Sequence, residues 1–304
     1  MSAPAATVRV PASSANLGPG FDALGVALSL HATVGCGDPP PDVALDPASG
    51  PARAVPADEH HPASVAFAAA GGHGPLWVHA PIPMGRGLGY SGAVRVAGAL
   101  AAITQRAPSL VGRAPAEVRD DLVEIAGRLE GHVDNVAASV HGGVVVAAGG
   151  RVVPVPLAVA PVILVWVPDD VTTSTDRSRA ALPGSVPFAD AVFNAGRTAL
   201  LIAALASGDV DALAIATQDR LHQEARLRTV PGSAAALDAG RAAGAWCGWL
   251  SGSGPSVALM CDPATVDEVA GALPAGGHVK HLAIETEGAT VLVPGSTGEV
   301  ELGR

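Results

Sequence analysis

The run Pro83-Met-Gly-Arg-Gly-Leu-Gly-Tyr-Ser-Gly-Ala93 sets Gly85, Gly87, Gly89 and Gly92 directly ahead of an apolar stretch that reads as a helix. Unpaired N–H groups at a helix start, and the positive end of its dipole, favour an anion such as phosphate. Glycine suits this task, because a side chain would hold phosphate oxygens away from the backbone and resist positive φ. The run lacks the closing Gly-Lys-Ser/Thr of a P-loop, and a Gly-rich connection without a ligand has the same pattern, so this loop alone leaves both readings open. Pro11-Ala-Ser-Ser-Ala-Asn-Leu-Gly-Pro-Gly-Phe-Asp22 and Leu250-Ser-Gly-Ser-Gly-Pro-Ser256 are further polar loops between apolar strands, and each is satisfied by a ligand or by a mere turn. Glu130-Gly-His-Val-Asp-Asn135 places two carboxylates and an amide just after a helix, donors that suit a hard cation and equally a solvated helix end. The histidines offer no metal site. His60 and His61 are adjacent, and His278 with His281 lacks a third ligand, so these read as surface residues.

The elements that must carry these loops follow from periodicity and punctuation. Thr7 to Val10 and Ala23 to Cys36 read as strands around the Pro11 to Asp22 loop, and Pro39 to Asp58 reads as a loop with at most one short strand. Pro62 opens an Ala-rich helix that stops at Gly71-Gly72; Leu76 to Ala80 is a strand, Pro81 to Gly89 a loop, and Ser91 to Thr104 a helix. Pro115 to Leu129 is a further helix, and Val144 to Ala148 with Val152 to Val155 form a hairpin around Gly149-Gly150. In the second half Val162 to Val167 reads as a strand, and Pro187 to Ser207, Val210 to Arg220 and Ala234 to Ala243 as helices. Ala245 to Leu250 and Pro255 to Met260 are strands, Ala264 to Leu273 a helix, and strands near His278 to Ile284 and Ala289 to Val293 finish the chain. The intermixing predicts an α+β architecture with a boundary near Pro154 to Pro161.

Composition narrows the class. With 304 residues, 49% hydrophobic and 15% charged, the chain can bury a core and is not a disordered one. Aromatics at 3% against 37 glycines and 26 prolines mean a core of Ala, Val and Leu with tight turns. A net charge of −10 argues against nucleic acid or an anionic membrane as partner, while leaving room for a local basic pocket. Cys36, Cys247 and Cys261 are odd in number and far apart, which fits a reducing, cytoplasmic compartment rather than a disulfide framework. Met1 to Val10 has no apolar signal core, and the uncharged run Val152 to Pro168 is broken by four prolines, so neither secretion nor a membrane span is expected.

Taken together, these motifs resemble the GHMP family of small-molecule kinases and, within it, the homoserine kinase branch. Val10 to Gly25 is similar to that branch's N-terminal signature nearly residue for residue. Pro83 to Ala93 is similar to the family phosphate loop, Leu129 to Asn135 to Leu-Glu-Gly-His-Pro-Asp-Asn, and Leu250 to Val257 to the third family motif. Ser174 to Pro183 and Asp219 to Gly232 resemble the Ser-Thr-x-x-x-Arg-x-x-Leu-Pro and Asp-Arg-x-His-Gln-x-x-Arg segments of the branch. The likeness spans residues 8 to 260.

The resemblance implies a two-domain GHMP kinase fold. A ribosomal protein S5 domain 2-like, nucleotide-binding domain would cover residues 1–157, and a ferredoxin-like domain residues 158–304. It implies ATP and Mg²⁺ as cofactors and phosphorylation of the L-homoserine side-chain hydroxyl to O-phospho-L-homoserine, in threonine biosynthesis. Pro83, Gly85, Arg86, Gly87, Leu88, Gly89, Tyr90, Ser91 and Gly92, with His61, Gly252, Ser253 and Gly254, would hold the nucleotide, and Ser91 and Glu130 the Mg²⁺. Arg179 and Arg226 would grip the substrate carboxylate, and Asn16, Asp22 and Asn135 would orient its amino group and hydroxyl. Asn135 stands where the mevalonate kinase branch carries a basic aspartate, so with Arg179 it would act by positioning and electrostatics, without a strong protein base. A homodimer is an expectation by analogy only.

Three residues depart from the family pattern. Tyr90, the single tyrosine, replaces the first serine of the phosphate loop; His61 replaces an asparagine near the adenine; and Val133 replaces the proline before Asp134-Asn135. The first two motivate an alternative, a catalytically weak or inactive relative that binds an amino acid or nucleotide in a regulatory role.

Overall fold

The structure, a computed structural model, describes residues 7–38 and 54–292. The expected Pro39 to Asp58 loop lies outside the described residues as far as position 53, and so does the final residue of the expected last strand, Val293.

The first half is built on β1 (Thr7–Ala15) and β2 (Leu24–Cys36), paired antiparallel. Here the expectation of a loop from Pro11 needs correction, because β1 runs through Ala15. The ladder shifts register between Pro11 and Ala12 and continues with Ser13 opposite Ala27 and Ser14 opposite Val26. Both serines are fully buried. Their hydroxyls are satisfied inside the protein, which a polar sequence pattern mistakes for solvent exposure.

β3 (Val55–Ala57), α1 (Pro62–Ala69), β4 (Leu76–His79) and α2 (Tyr90–Arg106) follow. Then come β5 (Gly112–Arg113), α3 (Ala116–Glu130), α4 (Asp134–His141) and the hairpin of β6 (Val144–Ala148) and β7 (Arg151–Val155). α2 is the hub: its small buried face, Ala93, Ala97, Ala99 and Ala101 among others, lets α1, α3, α4 and β1 approach it closely. Glu130 is the last residue of α3, and α4, absent from the sequence expectation, begins four residues later at Asp134.

In the second half β8 (Val162–Pro168) leads into α5 (Thr175–Ala180), α6 (Phe188–Ser207), α7 (Val210–Ala216), α8 (Gln223–Leu227) and α9 (Pro231–Ala242). β9 (Cys247–Leu250), β10 (Val257–Cys261), α10 (Val266–Ala272) and β11 (Gly277–Leu282) complete an antiparallel sheet in the order β11-β8-β10-β9. That order, 4-1-3-2 within the sheet, is the split βαβ arrangement expected of a ferredoxin-like fold. The helix expected over Val210 to Arg220 ends at Ala216, because the Asp219 carboxylate accepts the His222 and Gln223 N–H groups at 2.8 and 2.7 Å and starts α8 instead. α6 is long and apolar enough to cross a membrane by length and composition alone; it packs against α7 and β7, and Leu201, Ala204 and Leu205 are among its few buried residues.

The last strand, β12 (Thr290–Leu292), pairs with β1 in the first sheet, whose order is β3-β4-β2-β1-β12-β5 with β6 and β7 beyond β2. The chain therefore closes back on its first half. One apolar core runs from Val8 and Leu17 to Ile163, Val165, Trp249 and Met260.

Candidate active site

Three loops meet at the start of α2. Gly87 and Gly89 have φ of 76° and 65°, and a Cβ at either would collide with a neighbouring loop, at the Ser251 carbonyl oxygen and the Ser13 hydroxyl respectively. These glycines thus let the backbone of the glycine loop lie against β1 and the Ser251–Gly254 turn, a packing role that the anion argument alone does not foresee. Ser251 Oγ donates to the Gly87 carbonyl at 2.6 Å, and Ser14 and Ser251 hydroxyls lie 2.7 Å apart. α2 has no side-chain cap, so its leading N–H groups are left for another acceptor.

A cavity of about 220 Å³ opens there. Of the residues expected at a site, Asn16, Asp22, Pro83, Gly85, Gly87, Leu88, Gly89, Tyr90, Ser91, Glu130, Asn135, Arg179, Arg226, Gly252 and Ser253 line it. His61, Arg86, Gly92 and Gly254 do not. The Arg86 guanidinium turns outward to the carbonyls of Pro168 and Asp169.

On one wall Ser91 Oγ donates to Glu130 Oε2 at 2.7 Å, so two oxygen donors fit for a hard cation stand together. Arg95, one helical turn after Ser91, donates to both groups, with Nη1 2.8 Å from the same Glu130 oxygen. The i, i+4 spacing on α2 is the signal that could have found it. His132 adds a second basic group, with Nε2 3.9 Å from Glu130 Oε1 and Nδ1 3.5 Å from Asp134 Oδ1. Asp134 chiefly, and Glu130 with it, raises the His132 pKa against the pull of burial.

On the other wall the Arg179 guanidinium is bidentate to Asp22, at 2.9 and 2.7 Å. Arg226 is 5% exposed and donates through Nη1 to the Gly252 carbonyl at 3.1 Å and to His222 Nδ1 at 3.2 Å. His222 Nε2 in turn donates to the Gly18 carbonyl at 2.8 Å, so the ring is the neutral Nε2–H tautomer. Burial lowers the His222 pKa and keeps it neutral. Asn16 spends its amide on the loop itself, donating to the Gly252 carbonyl and accepting from the Asp22 N–H, each at 3.0 Å. It sits with Leu17 and Asp22 at positive φ, a strained turn of the kind that fixes site geometry. Asn135 Oδ1 accepts from Ser13 Oγ at 3.0 Å.

The family model described as "GHMP kinases N terminal domain" matches residues 59–143, and the one described as "GHMP kinases C terminal" matches residues 201–279. The homoserine kinase of Streptomyces avermitilis is 41% identical over 303 residues, covering 95% of this chain and 96% of its own. The chain belongs to the GHMP kinase family. A homoserine kinase of Thermus thermophilus is 39% identical over 257 residues, covering 83% and 85% of the two chains. Among solved structures, the homoserine kinase of Cytophaga hutchinsonii superposes with a TM-score of 0.78 at 25% identity, covering 96% of this chain and 98% of that one. The mevalonate kinase of Methanococcus jannaschii, at TM-score 0.65 and 11% identity over 91% of this chain and 98% of its own, shares the fold.

In this GHMP kinase two of the residues that depart from the family pattern, His61 and Tyr90, contact each other. His61 is half-buried rather than on the surface. Its Nδ1 accepts the Ala63 N–H at 3.1 Å and caps α1, which leaves Nε2–H to donate to the Tyr90 hydroxyl at 3.0 Å. Burial lowers the His61 pKa and raises that of Tyr90, so both are neutral partners. Tyr90 therefore fastens the start of α2 to the start of α1.

Proposed function

We propose that this chain is an ATP-dependent homoserine kinase that transfers the γ-phosphoryl group to the side-chain hydroxyl of L-homoserine, giving O-phospho-L-homoserine for threonine biosynthesis. The observation that carries the reading is the pairing, in one cavity, of an uncapped Gly-loop helix start with an Asp22–Arg179–Arg226 cluster. A helix start suits polyphosphate, and a carboxylate beside two guanidiniums suits a zwitterionic amino acid. On this reading Asp22 takes the substrate ammonium, and Arg179 and Arg226 its carboxylate. Asn135 and the strained Asn16 turn set the hydroxyl in line with the nucleotide, with Gly85 to Ser91, Tyr90 included, and Gly252 and Ser253 around the phosphates.

Ser91 and Glu130 fit a divalent ion by their oxygens, and Mg²⁺ there would neutralise charge on the phosphates. In the transfer the hydroxyl oxygen bonds to the γ-phosphorus as the bond to the bridging oxygen of ADP breaks, and the hydroxyl proton leaves to phosphate or solvent. Asn135 supplies position, since an amide does not accept that proton at neutral pH. We assign the nucleotide half to residues 1–157 and the second half to 158–304, with β12 returned to the first sheet, and we take the enzyme to be cytoplasmic and homodimeric.

ADP release with Mg-ATP and L-homoserine, run beside L-threonine, L-serine and mevalonate, tests the activity. Homoserine-dependent turnover supports it. Homoserine binding without turnover on any acceptor would instead favour a non-catalytic relative, the reading that Tyr90 and His61 motivate.

A further inference from the structure

Ser91 and Glu130 are bridged by a cation that belongs to the chain. Arg95 Nη1 stands 2.8 Å from Glu130 Oε2 and also donates to Ser91 Oγ, while Ser91 donates to the same carboxylate oxygen. The Arg95 and Glu130 side chains are only 19% and 11% exposed, so this is a desolvated pair rather than a surface bridge screened by salt. The guanidinium makes these two contacts alone among the described hydrogen bonds, and its Nε–H is buried without a partner. Ser91 and Glu130 both line the nucleotide-side cavity. The oxygens that would serve a divalent ion are therefore already drawn toward a fixed positive charge.

We propose that Arg95 is a resident counter-cation of the nucleotide site. It competes with the divalent ion for Glu130 and Ser91, and it supplies part of the positive charge that a triphosphate needs. The inference rests on the kinase reading. Its consequence is weak coupling: metal and nucleotide help each other's binding less in this chain than the Ser91–Glu130 pair would otherwise allow, since coupling is reciprocal and Arg95 already fills part of the metal's electrostatic role.

Isothermal titration with the non-hydrolysable nucleotide AMP-PNP, in EDTA and then in saturating Mn²⁺, measures that coupling as the ratio of the two dissociation constants. Arg95→Met is expected to weaken metal-free AMP-PNP binding and to raise the ratio by about tenfold, within the usual range for coupled sites. Arg95→Lys, which keeps the charge, is expected to leave the ratio near that of the unmodified chain. If Arg95→Met does not fold, Arg95→Gln carries the same test, as it keeps a neutral donor to Glu130 while removing the charge. An unchanged or smaller ratio in the neutral variant overturns the proposal and makes Arg95 a residue that merely positions Glu130. Failure of the unmodified chain to bind AMP-PNP under either condition would reject the ATP reading and this proposal together, whereas binding with an unaltered ratio rejects this proposal alone.

Discussion

Phe21 contacts both cavity arginines, with its ring centroid 5.5 Å from the Arg179 guanidinium carbon and 5.2 Å from that of Arg226, and with the His222 ring 4.9 Å away. Each guanidinium lies within reach of the attraction that an aromatic face offers a cation, so the ring helps hold both in place. Because Arg226 is buried, losing a charge-assisted contact from it costs about 1.5–3 kcal/mol, so Arg226→Ala should raise the homoserine KM roughly 10- to 100-fold. Steady-state kinetics at saturating ATP checks this, and an unchanged KM would remove Arg226 from the substrate. Arg179 is 38% exposed, and the same substitution there should act in the same direction but less strongly. Tyr90→Phe removes the hydroxyl that His61 holds while keeping the ring. We expect a several-fold rise in ATP KM with homoserine KM unchanged, as loss of one neutral hydrogen bond of about 1 kcal/mol implies. An equal shift in both constants would count against a role confined to the nucleotide side.

At the scale of elements, the glycine loop ahead of α2 is held by its neighbours in the fold. Gly87→Ala places a Cβ against the Ser251 carbonyl oxygen at a φ of 76°, which forces the loop and the Ser251–Gly254 turn apart. A cost of about 1–3 kcal/mol is expected for the strained backbone alone, read as a lower urea midpoint together with loss of turnover; a variant as stable and active as the parent would refute the packing role. The α8 segment carries a pH dependence. His222 is buried neutral with a lowered pKa, so its contribution to stability is complete above the unfolded value of about 6.5 and is lost as pH falls through the folded one. His132 runs the other way: its raised pKa contributes stability at low pH, which is lost as pH rises through the folded value. Urea unfolding at several pH values should therefore show His222→Asn with a shallower acid decline than the parent. Parallel curves would contradict this account.

At the scale of the molecule, the halves are stitched where the site forms. Trp249 Nε1 donates to Ser14 Oγ at 2.9 Å, His222 reaches the Gly18 carbonyl, β12 pairs with β1, and one apolar core passes through both sheets. Such continuity predicts a single cooperative thermal transition by calorimetry, with calorimetric and van't Hoff enthalpies in agreement. Two separable transitions would mean that the sheets fold independently. Sequence alone determined the local grammar: the glycine run ahead of α2, Pro62 and the Gly pair bounding α1, and the alternation that marks the strands are short-range consequences of backbone sterics and side-chain period. It also carried the family likeness, and with it most of the residues expected on the two walls, but neither Arg95 nor His132. It did not determine that the Ser13 and Ser14 hydroxyls meet Asn135 and Ser251, that His61 meets Tyr90, that Arg86 turns away, or that Arg95 reaches Glu130. Each of those depends on partners between 29 and 237 positions distant along the chain. Polar groups far apart in sequence find one another only after the apolar faces have collapsed and water has left, and the tertiary structure decides which pairs those are.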